Sequence, residues 1–147
     1  MPSATFKASF RVTWADTDAA QVVHYSNYFR FFERAEEEFY RHLGFNFTDL
    51  HARGLWFPRV EAFCRFRQPA RYDDLIEVEI AVGELKEKSV RFEFNVFNKD
   101  TAELLATATQ WPWRRTNTRE RPQRFLTISW PSSGLSASRS IEEWKEL

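Results

Sequence analysis

The sequence is short of several things, and each shortage narrows the reading. Among its 147 residues there is one cysteine, Cys64. No internal disulfide can form, which fits a reducing compartment, and a cytoplasmic setting is expected. No segment approaches the roughly 18 uninterrupted apolar residues of a membrane span. The opening M-P-S-A-T-F-K-A-S-F lacks the apolar stretch of a secretory leader, so no signal peptide is expected. Neither sign of charge is in excess: 21 basic residues balance 21 acidic ones. A global pull toward nucleic acid or an anionic membrane is therefore excluded, and no such partner is expected. Internal repeats are missing. The one Ser/Gly-rich stretch, residues 131–139, reads as a linker.

Aromatic residues, by contrast, are abundant: 15 Phe and 6 Trp point to bulky packing on more than one surface. Phe6, Ala8, Phe10, Val12 and Trp14 alternate with polar residues, a period of two that predicts a strand with one buried face. The D-T-D-A-A segment breaks that period. A helix is expected from Ser26 or Asn27, either of which can serve as N-cap. Tyr28, Phe32, Ala35, Phe39 and Leu43 recur at helical spacing, with Arg30, Glu33, Arg34, Glu37, Glu38 and Arg41 largely outside the stripe. Gly44 supplies the stop.

Strands follow. Val60, Ala62, Cys64 and Phe66 share a face; so do Ile76, Val78, Ile80 and Val82, then Val90, Phe92, Phe94 and Val96. After an N-K-D-T turn at 98–101, Leu104, Ala106 and Ala108 alternate, with Trp111 and Trp113 on the other parity. Pro112 cannot donate to a ladder, so this strand is expected at an edge or bulged there. S-I-E-E at 140–143 matches a capping box and predicts a short final helix. Short turns favour antiparallel pairing. One helix stripe on one sheet face gives an α+β layer arrangement in a single domain. Its edges and an exposed aromatic face would be covered by self-association.

The joint between first strand and helix carries the chemistry. Asp16 and Asp18 flank Thr17, and His24 follows six residues past Asp18. A helix N-terminus offers free N–H groups and partial positive charge, which can polarise a carbonyl oxygen. A carboxylate beside it can attack an acyl group or activate water. The bland reading stands alongside, since Asp before a helix commonly caps or forms a turn. His24 could orient a water or be a hydrogen-bonded loop residue. Asp16, Asp18 and His24 give a metal only three ligands, with no other His nearby, which argues against a metal site. Tyr25, Tyr28 and Phe29 read equally as core or as the lining of an acyl pocket. Cys64 reads as a core thiol.

Residues 16–35, D-T-D-A-A-Q-V-V-H-Y-S-N-Y-F-R-F-F-E-R-A, resemble the signature of hotdog-fold acyl-CoA thioesterases of the 4-hydroxybenzoyl-CoA thioesterase type, roughly D-x-D-x-x-G-h-V-x-x-x-x-Y before a long central helix. Residues 66–78, F-R-Q-P-A-R-Y-D-D-L-I-E-V, resemble the strand–turn–strand after that helix. The resemblance covers residues 1–113, and 114–147 form a divergent extension. It implies a hotdog fold, a curved antiparallel sheet of about five strands wrapped around one long helix, in a homodimer or homotetramer joined edge to edge. It also implies hydrolysis of a fatty or aromatic acyl-CoA without metal or organic cofactor, at a site on the dimer interface. Asp18 falls at the catalytic carboxylate, as nucleophile or general base, and the backbone N–H of Tyr25 at the donor that polarises the thioester carbonyl. Gln21 stands where the pattern has Gly, so either the turn has ordinary dihedrals or Gln21 is strained. Gln21, His24 and Tyr28 are candidates to contact the acyl group. Lys86, Lys88, Arg114 and Arg115 are candidates for the CoA phosphates.

Two other readings remain. D-T-D-A-A superficially matches the D-x-D motif of haloacid dehalogenase-type phosphatases, but it lacks the following Thr or Val, and antiparallel strands do not suit that fold. A hotdog module that binds acyl-CoA or a protein without turnover is equally compatible with the sequence.

Overall fold

A computed structural model describes residues 5–44, 46–86 and 88–113, with the backbone of 115–116. The expected linker and final helix lie outside the described residues. The chain runs β1 (Thr5–Arg11), α1 (Asn27–His42), α2 (Phe47–Ala52), β2 (Leu55–Trp56), β3 (Arg59–Phe66), β4 (Leu75–Leu85), β5 (Val90–Asn98), β6 (Leu104–Pro112) and β7 (Arg115–Thr116). Five strands form one antiparallel sheet in the order β1-β4-β5-β6-β3, and β2 pairs with β7.

Alternation explains the sheet. Ile76, Val78 and Ile80 of β4, Phe92, Phe94 and Val96 of β5, and Ala106 and Ala108 of β6 are all buried on the face toward α1. The helix answers with Tyr28, Phe31, Phe32, Ala35, Phe39 and, just past its end, Leu43. Rings interlock across the layer: Phe32 meets Phe94 at 4.8 Å, and Phe10 stacks on Phe31 at 6.5 Å. Each fully buried Phe contributes about 1.5–3 kcal/mol. Gly44, at φ +94, ends the helix in the left-handed region as expected.

Three expectations need correction. Trp14 is not on the buried face. The strand ends at Arg11, and Trp14 sits 77% exposed on a 3-10 turn, Trp14–Asp16, its ring tilted against that of Tyr72. Ser26 is the N-cap position, but its side chain makes no cap bond because its hydroxyl engages His24 instead. The Val60–Phe66 segment is a strand, yet Val60, Ala62 and Phe66 are exposed because β3 is a sheet edge. Of the two alternatives for Pro112, the bulge holds: β6 is an inner strand, and its register with β3 shifts between Arg59 and Glu61, opposite the proline.

Glu36 is the residue the helical pattern hides. It lies on the buried stripe, four residues past Phe32, and is 1% exposed. Tyr40 Oη donates to its Oε1 at 2.9 Å, and the Arg59 guanidinium of β3 donates to its Oε2. Arg59 Nε also donates to Gln110 Oε1 at 2.9 Å. Burial pushes the Glu36 carboxyl up, while the Arg59 cation and the Tyr40 hydroxyl hold it down. Glu36→Ala strands the guanidinium facing the core. It should lower stability in urea by about 2–4 kcal/mol, toward the low end for a broken buried pair because Arg59 keeps some solvent contact. The exposed control Glu33→Ala should stay within about 0.5 kcal/mol.

Candidate active site

The D-T-D-A-A-Q segment folds into a tight hairpin. Thr17 bridges Val23, Asp18 N donates to Val22 O at 3.0 Å, and His24 N donates to Asp16 O at 2.9 Å. Gln21 N closes the turn on Asp18 O at 2.9 Å. The loop is the three residues Ala19, Ala20 and Gln21, and such loops end on a left-handed residue. Gln21 takes that place at φ +63. Of the two alternatives left open by its substitution for Gly, the strained one holds. Gln21 is exposed, at the loop's end.

The two aspartates divide their work. Asp16 is committed: its Oδ2 accepts from Thr13 N and Thr13 Oγ1, both at 2.8 Å, and its carbonyl accepts from His24 N and from Asn27 Nδ2 at 2.9 Å. Asp18 is half-buried and spends one oxygen, Oδ1, on Ala20 N at 2.8 Å. Its Oδ2 has no hydrogen-bond partner among the described residues.

Donors follow in the chain. Tyr25 precedes α1 with its ring 65% exposed, and its N–H has no acceptor among the described residues. Helix α1 carries no acidic residue in its first turn and no side-chain cap, so the positive end of its dipole is left uncompensated. His24 Nδ1 accepts from Ser26 N at 3.3 Å and contacts Ser26 Oγ at 2.7 Å, which leaves the ring proton on Nε2. The His24 ring lies 4.2 Å from that of Tyr25.

The remaining candidates scatter. Tyr28 is a core residue whose hydroxyl accepts from Ala70 N at 3.3 Å, and Phe29 is half-buried against the core. Lys86 and Lys88 are exposed at the β4–β5 turn. The Asp18 hairpin adjoins the opposite end of β4, through the Val22–Arg71 bridge and the Val12–Asp74 bond, roughly 30 Å away. Arg114 and the Arg115 side chain lie outside the described residues. A cavity of about 330 Å³ lined by Glu37, Tyr40, Arg41, Asn46, Phe47 and Thr48 lies at the far end of α1, remote from Asp18. No group of three metal-ligating residues occurs among the described residues. Sequence reasoning missed Asn27, whose amide ties the helix start to Asp16, and Arg59. An Asn at a helix start invites the cap reading alone, and nothing in the sequence pairs Arg59 with Glu36.

Two expectations follow. Replacing Gln21 by Gly removes the left-handed penalty and should raise stability by about 1 kcal/mol, read as a melting temperature a few degrees higher. Burial pushes the Cys64 thiol up to about 11, so almost no thiolate exists at neutral pH. Alkylation of Cys64 by iodoacetamide should be slow at pH 7 and keep accelerating about tenfold per pH unit through pH 10; a plateau near pH 8 would contradict this.

The hairpin-and-helix site has relatives. Residues 12–122 match the model of the thioesterase-like superfamily. The acyl-CoA thioester hydrolase YbgC of Escherichia coli is 31% identical over 104 residues, which span 71% of this chain and 78% of that protein. Among solved structures, the BH1999 gentisyl-coenzyme A thioesterase superposes with a TM-score of 0.70 at 31% identity, covering 76% of this chain and 89% of that one. The fold is shared as well by Slr0204, a 1,4-dihydroxy-2-naphthoyl-CoA thioesterase from Synechocystis, with a TM-score of 0.77 at 23% identity over 86% of this chain and 93% of that one. A five-stranded antiparallel sheet laid against one long helix, with that match over most of its length, makes this chain a hotdog-fold member of the thioesterase-like superfamily.

Proposed function

We propose that this protein is a thioester hydrolase acting on acyl-CoA, with Asp18 as its catalytic carboxylate and the Tyr25 N–H as a donor to the thioester carbonyl oxygen. The observation that carries the reading is the division of labour at the joint: Asp16 holds Thr13 through Oδ2 and His24 and Asn27 through its carbonyl, while Asp18 Oδ2 and the Tyr25 N–H have no partner among the described residues. The names of YbgC and of the gentisyl-CoA enzyme support the substrate class.

The chemistry needs no cofactor. The carbonyl oxygen accepts from the Tyr25 N–H, and the uncapped start of α1 stabilises the negative charge that gathers there. Asp18 either adds to the carbonyl carbon, giving an anhydride that water then opens, or takes a proton from the water that attacks. In both routes the C–S bond breaks, CoA leaves as a thiolate, and the acyl group departs as a carboxylate.

The reading includes a homodimer joined through β3. That strand is an exposed edge bearing Val60, Phe63 and Phe66, a surface that invites antiparallel pairing with a second copy. A two-fold axis across β3 sets the Arg59 end of one copy beside the Phe66 end of the other. The lysine-bearing turn of the second copy then lies at the same end of the joined sheet as the first copy's Asp18, rather than at the opposite end as within one protomer. Lys86, Lys88, Arg114 and Arg115 are the cations assigned to the CoA phosphates in this arrangement.

Asp18→Asn keeps shape and removes charge. Its kcat for acyl-CoA hydrolysis, followed by thiol release, should fall about 10²–10⁴-fold with an unchanged melting temperature. Parent-like turnover in the folded variant would remove Asp18 from the mechanism.

A further inference from the structure

A row of uncovered rings stands beside the last described strand. The β2–β7 ladder is two residue pairs long, Leu55 with Thr116 and Trp56 with Arg115. Trp113 N donates to Pro58 O at 2.9 Å, so Trp56 and Trp113 flank the same short ladder. Both indoles are exposed. Helix α2 continues the patch. Phe47 and His51 stand four residues apart and share one side of that helix. The His51 ring meets that of Trp56 edge-on at 4.4 Å, and Phe47, also exposed, meets Tyr40 edge-on at 5.4 Å. The cavity of about 330 Å³ beside Phe47 adds depth at that end of the row.

Such a surface calls for a cover. A ladder of two pairs is marginal in water without further strands or a packed face. Exposed aromatics gathered in one patch, rather than scattered singly, mark a place where something packs. The chain itself carries a fitting segment. Leu126, Ile128 and Trp130 alternate with Thr127 and Ser129, between Pro122 and Pro131. Large apolar residues at period two, bounded by prolines, are the pattern of a segment that buries one side. Residues 117–125 separate Thr116 from Leu126. Extended, those nine reach about 30 Å, against roughly 9 Å for the length of α2. The thioesterase-like match stops at residue 122, before this segment begins.

We propose that residues 126–130 lie across the row of Phe47, Trp56 and Trp113, with Leu126, Ile128 and Trp130 set against the rings. The proposal does not depend on the acyl-CoA reading. Two arguments choose this occupant over a second copy or another protein. The segment follows in the chain from the ladder beside which the patch lies, and its alternation suits a place alongside that ladder. A tethered segment also competes at an effective concentration of about millimolar, which a free partner does not match in dilute solution. Ile141, Trp144 and Leu147, further along, are spaced for a helix instead and have a longer loop to close.

Hydrogen exchange on the full chain reads the cover directly, since it reports local opening. Amides of residues 47–56 are compared in the parent, in Leu126→Ser/Ile128→Ser/Trp130→Ser, and in the control Ile141→Ser/Trp144→Ser/Leu147→Ser. The first triple variant should exchange there about tenfold faster or more, with β4 and β5 at parent rates as the sign that the core is intact. The control should match the parent. Trp56→Ser, on the other side of the contact, should also speed exchange and leave the triple change little to add. Should the triple variant aggregate, Ile128→Ser alone should still give a severalfold acceleration. Parent-like exchange in a folded 126/128/130 variant would overturn the proposal. Acceleration confined to the control would overturn it in favour of residues 141–147. Protection that rises with protein concentration and survives the 126/128/130 changes would give the row to a second copy.

Discussion

Asp16 holds the molecule's working corner together. Its carboxylate gathers the N–H and hydroxyl of Thr13, and its carbonyl gathers His24 and Asn27. Those bonds stop β1, start the hairpin and fasten the first residue of α1 to both. Hydrogen bonds to an ionised acceptor are among the stronger ones a protein makes. Because Asp16 takes this duty, its neighbour two positions on is released from it. The pairing of aspartates in the sequence is thus a division between a residue that ties the joint together and one that closes only its own turn, through Ala20 N.

Much of the architecture was legible because its periods are clean. Period two across Ile76, Val78 and Ile80, and across Phe92, Phe94 and Val96, has a single satisfactory partner, the apolar stripe of α1. Trp14 misled because parity alone cannot say where a strand stops; the Thr13–Asp16 capping turn ends it first. β3 misled for a different reason. Alternation looks the same on a central strand and on an edge, and exposure depends on what lies alongside. The site was legible in part. The spacing of Asp16 and Asp18 identified the joint, but their unlike commitments depend on a backbone path that no spacing encodes. The left-handed Gln21 was foreseeable only as one of two alternatives.

Glu36 and Arg59 are the least legible pair and the costliest to disturb. They are separated by 23 positions, and Glu36 sits within a run of three glutamates that reads as solvated surface. Only its four-residue offset from Phe32 places it inside. A buried pair of this kind adds little net stability over an apolar substitute, yet it discriminates strongly against arrangements that leave either charge alone. It therefore fixes one end of an edge strand whose other end meets the helix through Phe66 on Tyr28.

The strand order β1-β4-β5-β6-β3 has a consequence for the chain as it is made. The β4–β5–β6 meander can assemble from neighbouring segments, but Thr5 waits for Ala81, and Phe66 for Ala106. Closing spans of that length carries an entropic cost that slows assembly. Until synthesis has passed β6, α1 has emerged with its row of phenylalanines and no sheet to bury them. Through that interval the nascent polypeptide displays a bare amphipathic segment, the kind of surface that holding chaperones grip.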